Sequence, residues 1–242
     1  MIYVLFSDCH GNLEALTAVV EAARAYKPDR WLFMGDVVGY GANPRECLEL
    51  VRSLNPVWVA GNHDWAAGGR LDFEWFRPAA RAAMHWTCGI LSDAEKEVLR
   101  GMPLKNKEGP WTLVHGGPGP LEEFQYCLDA GDCMRALLDV GTPFLAVGHS
   151  HIPMVGVQDP LGRVSFWQAA EGKLNPSLKT LVNPGSVGQP RDSIREASFA
   201  VFDDKDLSLK FRRVDYEVEQ AAEKILRAGL PHFLAERLKA GC

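Results

Sequence analysis

Residues 2–6 form an unbroken apolar run, and behind Asn12 the residues Leu13, Leu16, Val19, Val20 and Ala23 recur at intervals of three and four. The run predicts a buried strand, and the spacing predicts a helix that Asn12 caps and Pro28 prevents from continuing. A second strand is expected over 31–34, followed by a helix with Asn43 as cap and Pro44 at its first position, where a missing amide costs least. A third strand is expected over 57–60. From about 65 to 101 strand alternation is absent, and Ser92 with Glu95 three residues on makes a capping box, so this stretch reads as a helical insertion. Further strands are expected over 111–114 and 144–147, with a helix at 133–138 before the second. After Pro153 the pattern becomes hairpins: strands over 154–158 and 164–168 flank Asp159-Pro160-Leu161-Gly162, and strands over 198–202 and 207–212 flank an acidic turn ahead of a helical tail. Short strands alternating with helical patterns predict an α/β class. No repeat, low-complexity segment or long linker divides residues 1–242, which read as a single domain.

Five of these strands end alike, in an abrupt switch to glycine or serine with aspartate, asparagine or histidine. Ser7, Asp8, Cys9 and His10 follow the first; Gly35 and Asp36 the second; Gly61, Asn62, His63 and Asp64 the third; His115 follows 111–114; and Gly148, His149, Ser150 and His151 follow 144–147. Ligands bind outside the carboxyl ends of strands in open α/β sheets, so five ends in one layer would converge on a single crevice. Carboxylate, amide oxygen and imidazole suit Mn, Fe, Zn, Co or Ni better than soft-metal chemistry. Seven candidate ligands, Asp8, His10, Asp36, Asn62, His115, His149 and His151, exceed what one tetrahedral ion needs and favour two ions sharing a carboxylate.

Composition narrows the setting. The 242 residues are 47 % hydrophobic and 24 % charged, ordinary for a folded soluble chain. A net charge of −5 argues against a broad nucleic-acid surface, and the six cysteines include no C-x-x-C pair, so neither a disulfide framework nor a thiolate zinc site is expected. Without a basic flank, a cleavage pattern or an apolar stretch of about 20 residues, a cytoplasmic location and no membrane partner are expected.

In order, D-x-H, G-D, G-N-H-[DE], a lone H and G-H-x-H run from Asp8 to His151, and in this the chain resembles the calcineurin-like metallophosphoesterase superfamily. Asn183-Pro184-Gly185-Ser186 resembles a loop of its small prokaryotic phosphodiesterase branch. The resemblance implies a four-layer αββα sandwich of two mixed sheets flanked by helices. It also implies two ions, manganese foremost, one held by Asp8, His10, Asp36 and His151 and the other by Asp36, Asn62, His115 and His149. A hydroxide between two such ions would be the nucleophile against a small phosphate ester or nucleotide. His63, free of metal, would face substrate as general acid with Asp64 orienting its ring, and Asn62 would also touch substrate. Tyr40, Arg191 and Asn183 are weaker candidate substrate contacts.

The chain departs from phosphoprotein phosphatases, which continue G-D with an arginine-bearing D-R-G; here Gly39-Tyr40-Gly41 follows. That shifts expectation toward small phosphodiesters or nucleotides. A dinucleoside polyphosphate hydrolase, a phosphomonoesterase and a non-catalytic scaffold stand as alternatives. Cys9 is expected as a buried core thiol, His85 and His232 without function, and Trp65, Trp75 and Trp86 as the insertion's core.

Overall fold

The structure, a computed structural model, describes residues 1–138, 140–169 and 171–242. Its first half runs β1 (Ile2–Phe6), α1 (Leu13–Arg24), β2 (Arg30–Phe33), α2 (Pro44–Ser53), β3 (Val57–Trp58), α3 (Asn62–Ala67), α4 (Pro78–Ile90), α5 (Asp93–Arg100), β4 (Lys105–Glu108) and β5 (Trp111–Val114). There follow α6 (Ala130–Leu137), β6 (Phe144–Ala146), β7 (Met154–Gln158), β8 (Val164–Gln168), β9 (Gly172–Lys173), β10 (Lys179–Asn183), β11 (Ala197–Asp203), β12 (Ser208–Val214), α7 (Val218–Arg227) and α8 (His232–Ala240). None of these helices is long and apolar enough to cross a membrane.

Two mixed six-stranded sheets result, ordered β3-β2-β1-β11-β12-β9 and β4-β5-β6-β10-β7-β8. The apolar runs are continuous because each central strand is covered on both faces. In β1, Tyr3 and Leu5 face the other sheet, where they join Trp111, Phe144 and Phe202. Val4 and Phe6 point the other way, into a cluster with Leu16 and Val19 of α1, Val51 of α2 and Ile225 of α7. On the far side of the second sheet Val114, Leu145 and Leu181 pack with Cys133 and Leu137 of α6. The layers are therefore helix, sheet, sheet, helix.

Local signals explain much of this. The Asn12 side chain accepts from the Ala15 amide at the head of α1, and Ser92 and Glu95 form the capping box of α5. Asn43 does precede α2 but makes no side-chain cap; its Oδ1 instead accepts from Lys224 Nζ at 3.2 Å. The third strand is only two residues long, because Val59 and Ala60 already belong to the turn toward Asn62. Helical structure in the insertion begins at Asn62 rather than 65. Trp65 and Trp86 pack against the helix-side core as expected, but Trp75 is 90 % exposed and belongs to no core.

Candidate metal centre

The five strand ends do converge, but from two layers rather than one: β1, β2 and β3 lie parallel in one sheet, β5 and β6 parallel in the other. The loops beyond them are knitted by backbone bonds, among them His10 N–H to Asp36 O at 3.0 Å and Gly188 N–H to Asp8 O at 2.9 Å. Five of the seven candidate ligands, Asp8, His10, Asp36, His149 and His151, hold φ between +48° and +65°. Left-handed backbone at non-glycine residues costs of order 1–3 kcal/mol each and persists only where the surroundings enforce it. Crowding enforces it here. A side chain at Gly61 would place Cβ 2.0 Å from Asp36 Oδ1, and one at Gly148 would meet Ser7 Oγ at 2.1 Å.

Three imidazoles are fixed by the same device. His10 Nδ1 donates to Val38 O at 3.0 Å, His151 Nδ1 donates to Gln189 O at 2.6 Å, and His115 Nδ1 donates to Met34 O. A donor at Nδ1 turns the Nε2 of each ring inward as the coordinating nitrogen. His10 Nε2 and His151 Nε2 then face each other at 3.1 Å, and His115 Nε2 lies 3.2 Å from His149 Nδ1. Paired nitrogen lone pairs at that separation require a cation or proton between them. Asp8 Oδ1 is 3.2 Å from His151 Nε2, while Asp36 Oδ2 is 3.6 Å from His10 Nε2 and 3.3 Å from His115 Nε2, between the two groups. Asp36 Oδ1 is taken by the His63 amide at 2.9 Å.

Asp8, His10 and His151 thus form one cluster able to hold a metal ion, and Asp36, His115 and His149 another; His10, Asp36 and His63 meet the same distance condition. Among the described residues the buried Oδ1 of Asn62 has no hydrogen-bond partner. An orphaned buried carbonyl oxygen is costly, and on the residue before His63, whose amide bonds Asp36, it fits an oxygen-seeking cation. Electrostatics point the same way. Despite burial, the facing imidazoles hold Asp8 and Asp36 well below the usual carboxylate range, His151 acting on Asp8 and His115 and His63 on Asp36. Burial opposes charge on His115, yet the Asp36 and Asp8 carboxylates outweigh it and lift that ring to about 9. Burial, then the His115 charge, takes His149 down to about 3, and burial lowers His10 and His151.

His63 and Asp64 sit at the head of α3. The His63 ring packs against Tyr40, His10 and Phe76, with Nδ1 3.2 Å from Met84 Sδ, and burial takes its pKa down to about 4. Asp64 does not orient that ring. Its oxygens accept instead from the backbone amides of Asp36 at 2.7 Å, Val37 at 2.9 Å and Gly61 at 3.1 Å, clamping the Asp36 loop onto the Asn62 turn. Asn183 is likewise a brace rather than a substrate contact: it is fully buried and donates to Gly148 O and Ser150 Oγ behind the His149 loop. Cys9 is buried in the helix-side core, and His85 and His232 lie outside the centre, each beside a glutamate.

Tyr40 and Arg191 line a pocket of about 380 Å³ with Asn62, His63, Phe76, Arg77, Tyr126 and Arg237. Arg77, Arg237 and Tyr126 had no signal in the sequence. Arg237 lies in a helical tail remote from every motif, and Tyr126, whose ring stacks on His149 at 4.1 Å, lies in an irregular segment.

Residues 1–156 match the calcineurin-like phosphoesterase family. The chain belongs to that family. A phosphoesterase of this family is a hydrolase, and its members are typically dependent on divalent metal. An uncharacterized protein of Methanocaldococcus jannaschii is 39 % identical across the whole chain and 98 % of its own length. The crystal structure of a metallophosphoesterase from Sphaerobacter thermophilus is also 39 % identical, with a TM-score of 0.88 over 100 % of this chain and 99 % of that one. A symmetrical bis(5'-nucleosyl)-tetraphosphatase of Methylococcus capsulatus is 32 % identical over 124 residues, 46 % of this chain and 40 % of that protein.

Proposed function

We propose that this phosphoesterase hydrolyses small phosphodiesters or nucleotides at a two-metal centre, with manganese the first choice of ion. Asp8, His10, Asp36 and His151 would hold one ion, and Asp36, Asn62, His115 and His149 the other. The observation that carries this is the pair of opposed nitrogen contacts with Asp36 Oδ2 between them, and the orphaned oxygen of Asn62 supports it. When bound, two divalent ions supply an acidified water and offset the charge that develops on phosphate oxygens.

The chain's own residues do the rest. Asp64 fixes the Asp36 backbone, and the three carbonyl-anchored imidazoles keep their ligating nitrogens inward without reorganisation. His63 lines the pocket beside this centre. With Nδ1 against Met84 Sδ, its Nε2 is the nitrogen left for substrate, and the low pKa makes the ring neutral at pH 7. A thioether sulfur only accepts, so Nδ1 carries the proton of the neutral ring, and serving the leaving oxygen as general acid means charging the ring at Nε2, which grows more favourable as negative charge builds on that oxygen.

Tyr40 stands where protein phosphatases carry their acidic and basic pair. A peptide phosphomonoester dianion gains from an arginine fork more than a diester monoanion does, which favours diesters here. The test is kcat/KM of Mn-loaded enzyme on bis-p-nitrophenyl phosphate against a phosphoserine peptide, repeated in Arg191→Ala. The diester should be preferred; a tenfold preference for the phosphopeptide sinks the assignment. The second reading is hydrolysis of dinucleoside polyphosphates, favoured by the three arginines in the pocket and by the partial similarity to a tetraphosphatase. Cleavage of diadenosine tetraphosphate at higher kcat/KM than any diester would decide for it.

A further inference from the structure

Two hollows open beside the metal centre, and their fields are opposite. Asn62, Phe76 and Tyr126 border both. On the His149 side the wall carries Asp72, Glu122 and Glu123 with the exposed Trp75. On the His63 side it carries Arg77, Arg191 and Arg237.

These three arginines come from separate parts of the chain: the residue before α4, the loop after β10, and α8. Two of them lie beyond the residues matched to the family. They are held in place by unrelated contacts. Arg191 donates from Nη2 to Gln189 Oε1 at 3.1 Å and packs its guanidinium 6.0 Å from the Tyr40 ring. Arg237 donates from Nε to the Cys242 main-chain oxygen and lies over Phe233. Their two segments are joined where the Ser193 amide donates to Gly241 O at 2.8 Å.

Among the described residues, neither Arg77 nor Arg191 makes an ion pair with a carboxylate, although charged neighbours elsewhere on the surface pair freely; Arg237 is partly offset by Cys242. The Nε of Arg191 is buried and has no partner among the described residues. Burial and the nearby Arg191 together lower the pKa of Arg237, a sign of like charges held close. Gathering guanidinium groups around one cavity, two of them without a carboxylate partner, costs stability unless an anion enters it. Planar forks of this kind suit the tetrahedral oxygens of a phosphate, and three positive charges suit a dianion better than a carboxylate.

We propose that Arg77, Arg191 and Arg237 form a binding subsite for a second phosphate of the substrate, apart from the one cleaved at the metals. The subsite deepens the phosphodiesterase and nucleotide reading and rests on it for the placement of the scissile group. It selects phosphate esters that carry a further phosphate and leaves the acidic hollow for an uncharged or aromatic part.

Two measurements test it separately. Calorimetry on the full chain in chelator and low salt, with inorganic phosphate as probe, reads the subsite without any metal. Wild type should bind, and Arg237→Gln and Arg191→Gln should each weaken binding by tenfold or more. Absent binding in wild type, or unchanged affinity in both variants, overturns the proposal. The kinetic arm compares thymidine 5'-(p-nitrophenyl phosphate) with the same ester bearing a 3'-phosphate, using Mn-loaded enzyme. The 3'-phosphate should raise kcat/KM at least tenfold, mainly through KM, and Arg237→Gln should reduce that advantage below threefold. An equal advantage in wild type and variant overturns the subsite. If neither ester is cleaved, the diesterase reading fails and the phosphate calorimetry still decides the subsite.

Discussion

Asp64 is the residue whose role the structure changes most, and Asp64→Asn tests that role. One carboxylate oxygen accepts from the Asp36 and Gly61 amides, the other from Val37 at 2.9 Å and Val38 at 3.4 Å. Asparagine retains a single acceptor and turns an NH₂ group toward two N–H donors. At roughly 1.5–3 kcal/mol for each hydrogen bond to a charged group, losing two amounts to about 3–6 kcal/mol, a large share of the roughly 5–15 kcal/mol that holds a domain folded. Whichever way the amide turns, it frees either the Asp36 and Gly61 amides or those of Val37 and Val38, loosening the loop whose Asp36 backbone sits at φ +59°. Metal affinity should therefore fall by about 10 to 100-fold, the usual effect of losing a residue that positions a ligand. Urea unfolding in chelator and metal titration of the refolded variant measure the two effects. Stability within about 0.5 kcal/mol of wild type, together with lost turnover and intact metal binding, would refute the clamp and restore a role in orienting the His63 ring.

His63→Ala should keep its metal while lowering kcat by about 10² to 10⁴, with a smaller loss on nitrophenyl esters than on alkyl esters; metal analysis and paired kinetics check both. In chelator, stability should fall from pH 7 to pH 5: His63 and His149 fold with pKa values of about 4 and 3 against 6.5 unfolded. At pH 5 the unfolded chain then binds the extra protons, at a cost on the order of 2 kcal/mol for each ring. His10 and His151 add to this, while two groups oppose it: Asp64, pushed up to about 7 by burial and the Asp36 charge, and to a smaller extent His115, which is charged in the folded chain throughout this range. Thermal melts across that range report the sum, and a rising Tm toward pH 5 contradicts the account.

Much of the centre was legible because its residues are local events: a strand ends and polar side chains follow. The left-handed turns at Asp8, Asp36, His149 and His151 were not, because loops distant in sequence enforce them. What the sequence concealed is long-range. A polar edge strand such as Lys105–Glu108 carries no apolar period, and Lys179–Asn183 is too brief, between Pro176 and Pro184, to declare that it pairs with β6 and β7. The split of the five ends between two sheets follows from those pairings. Asp64 adjoins His63 in sequence, which suggested contact with the ring, but its place at the head of a helix turns the carboxylate onto backbone amides instead. Arg237 reaches the pocket only because α8 packs back beside the loop carrying Arg191.

The account stands on Asp36 as the carboxylate shared by two ions. Elemental analysis of protein prepared with Mn and freed of loosely bound metal measures this directly. Wild type should carry about two ions per chain and Asp36→Ala essentially none, since both proposed ligand sets lose their common carboxylate. Stoichiometric metal retained in a folded Asp36→Ala variant, or no more than one ion in wild type, would contradict it.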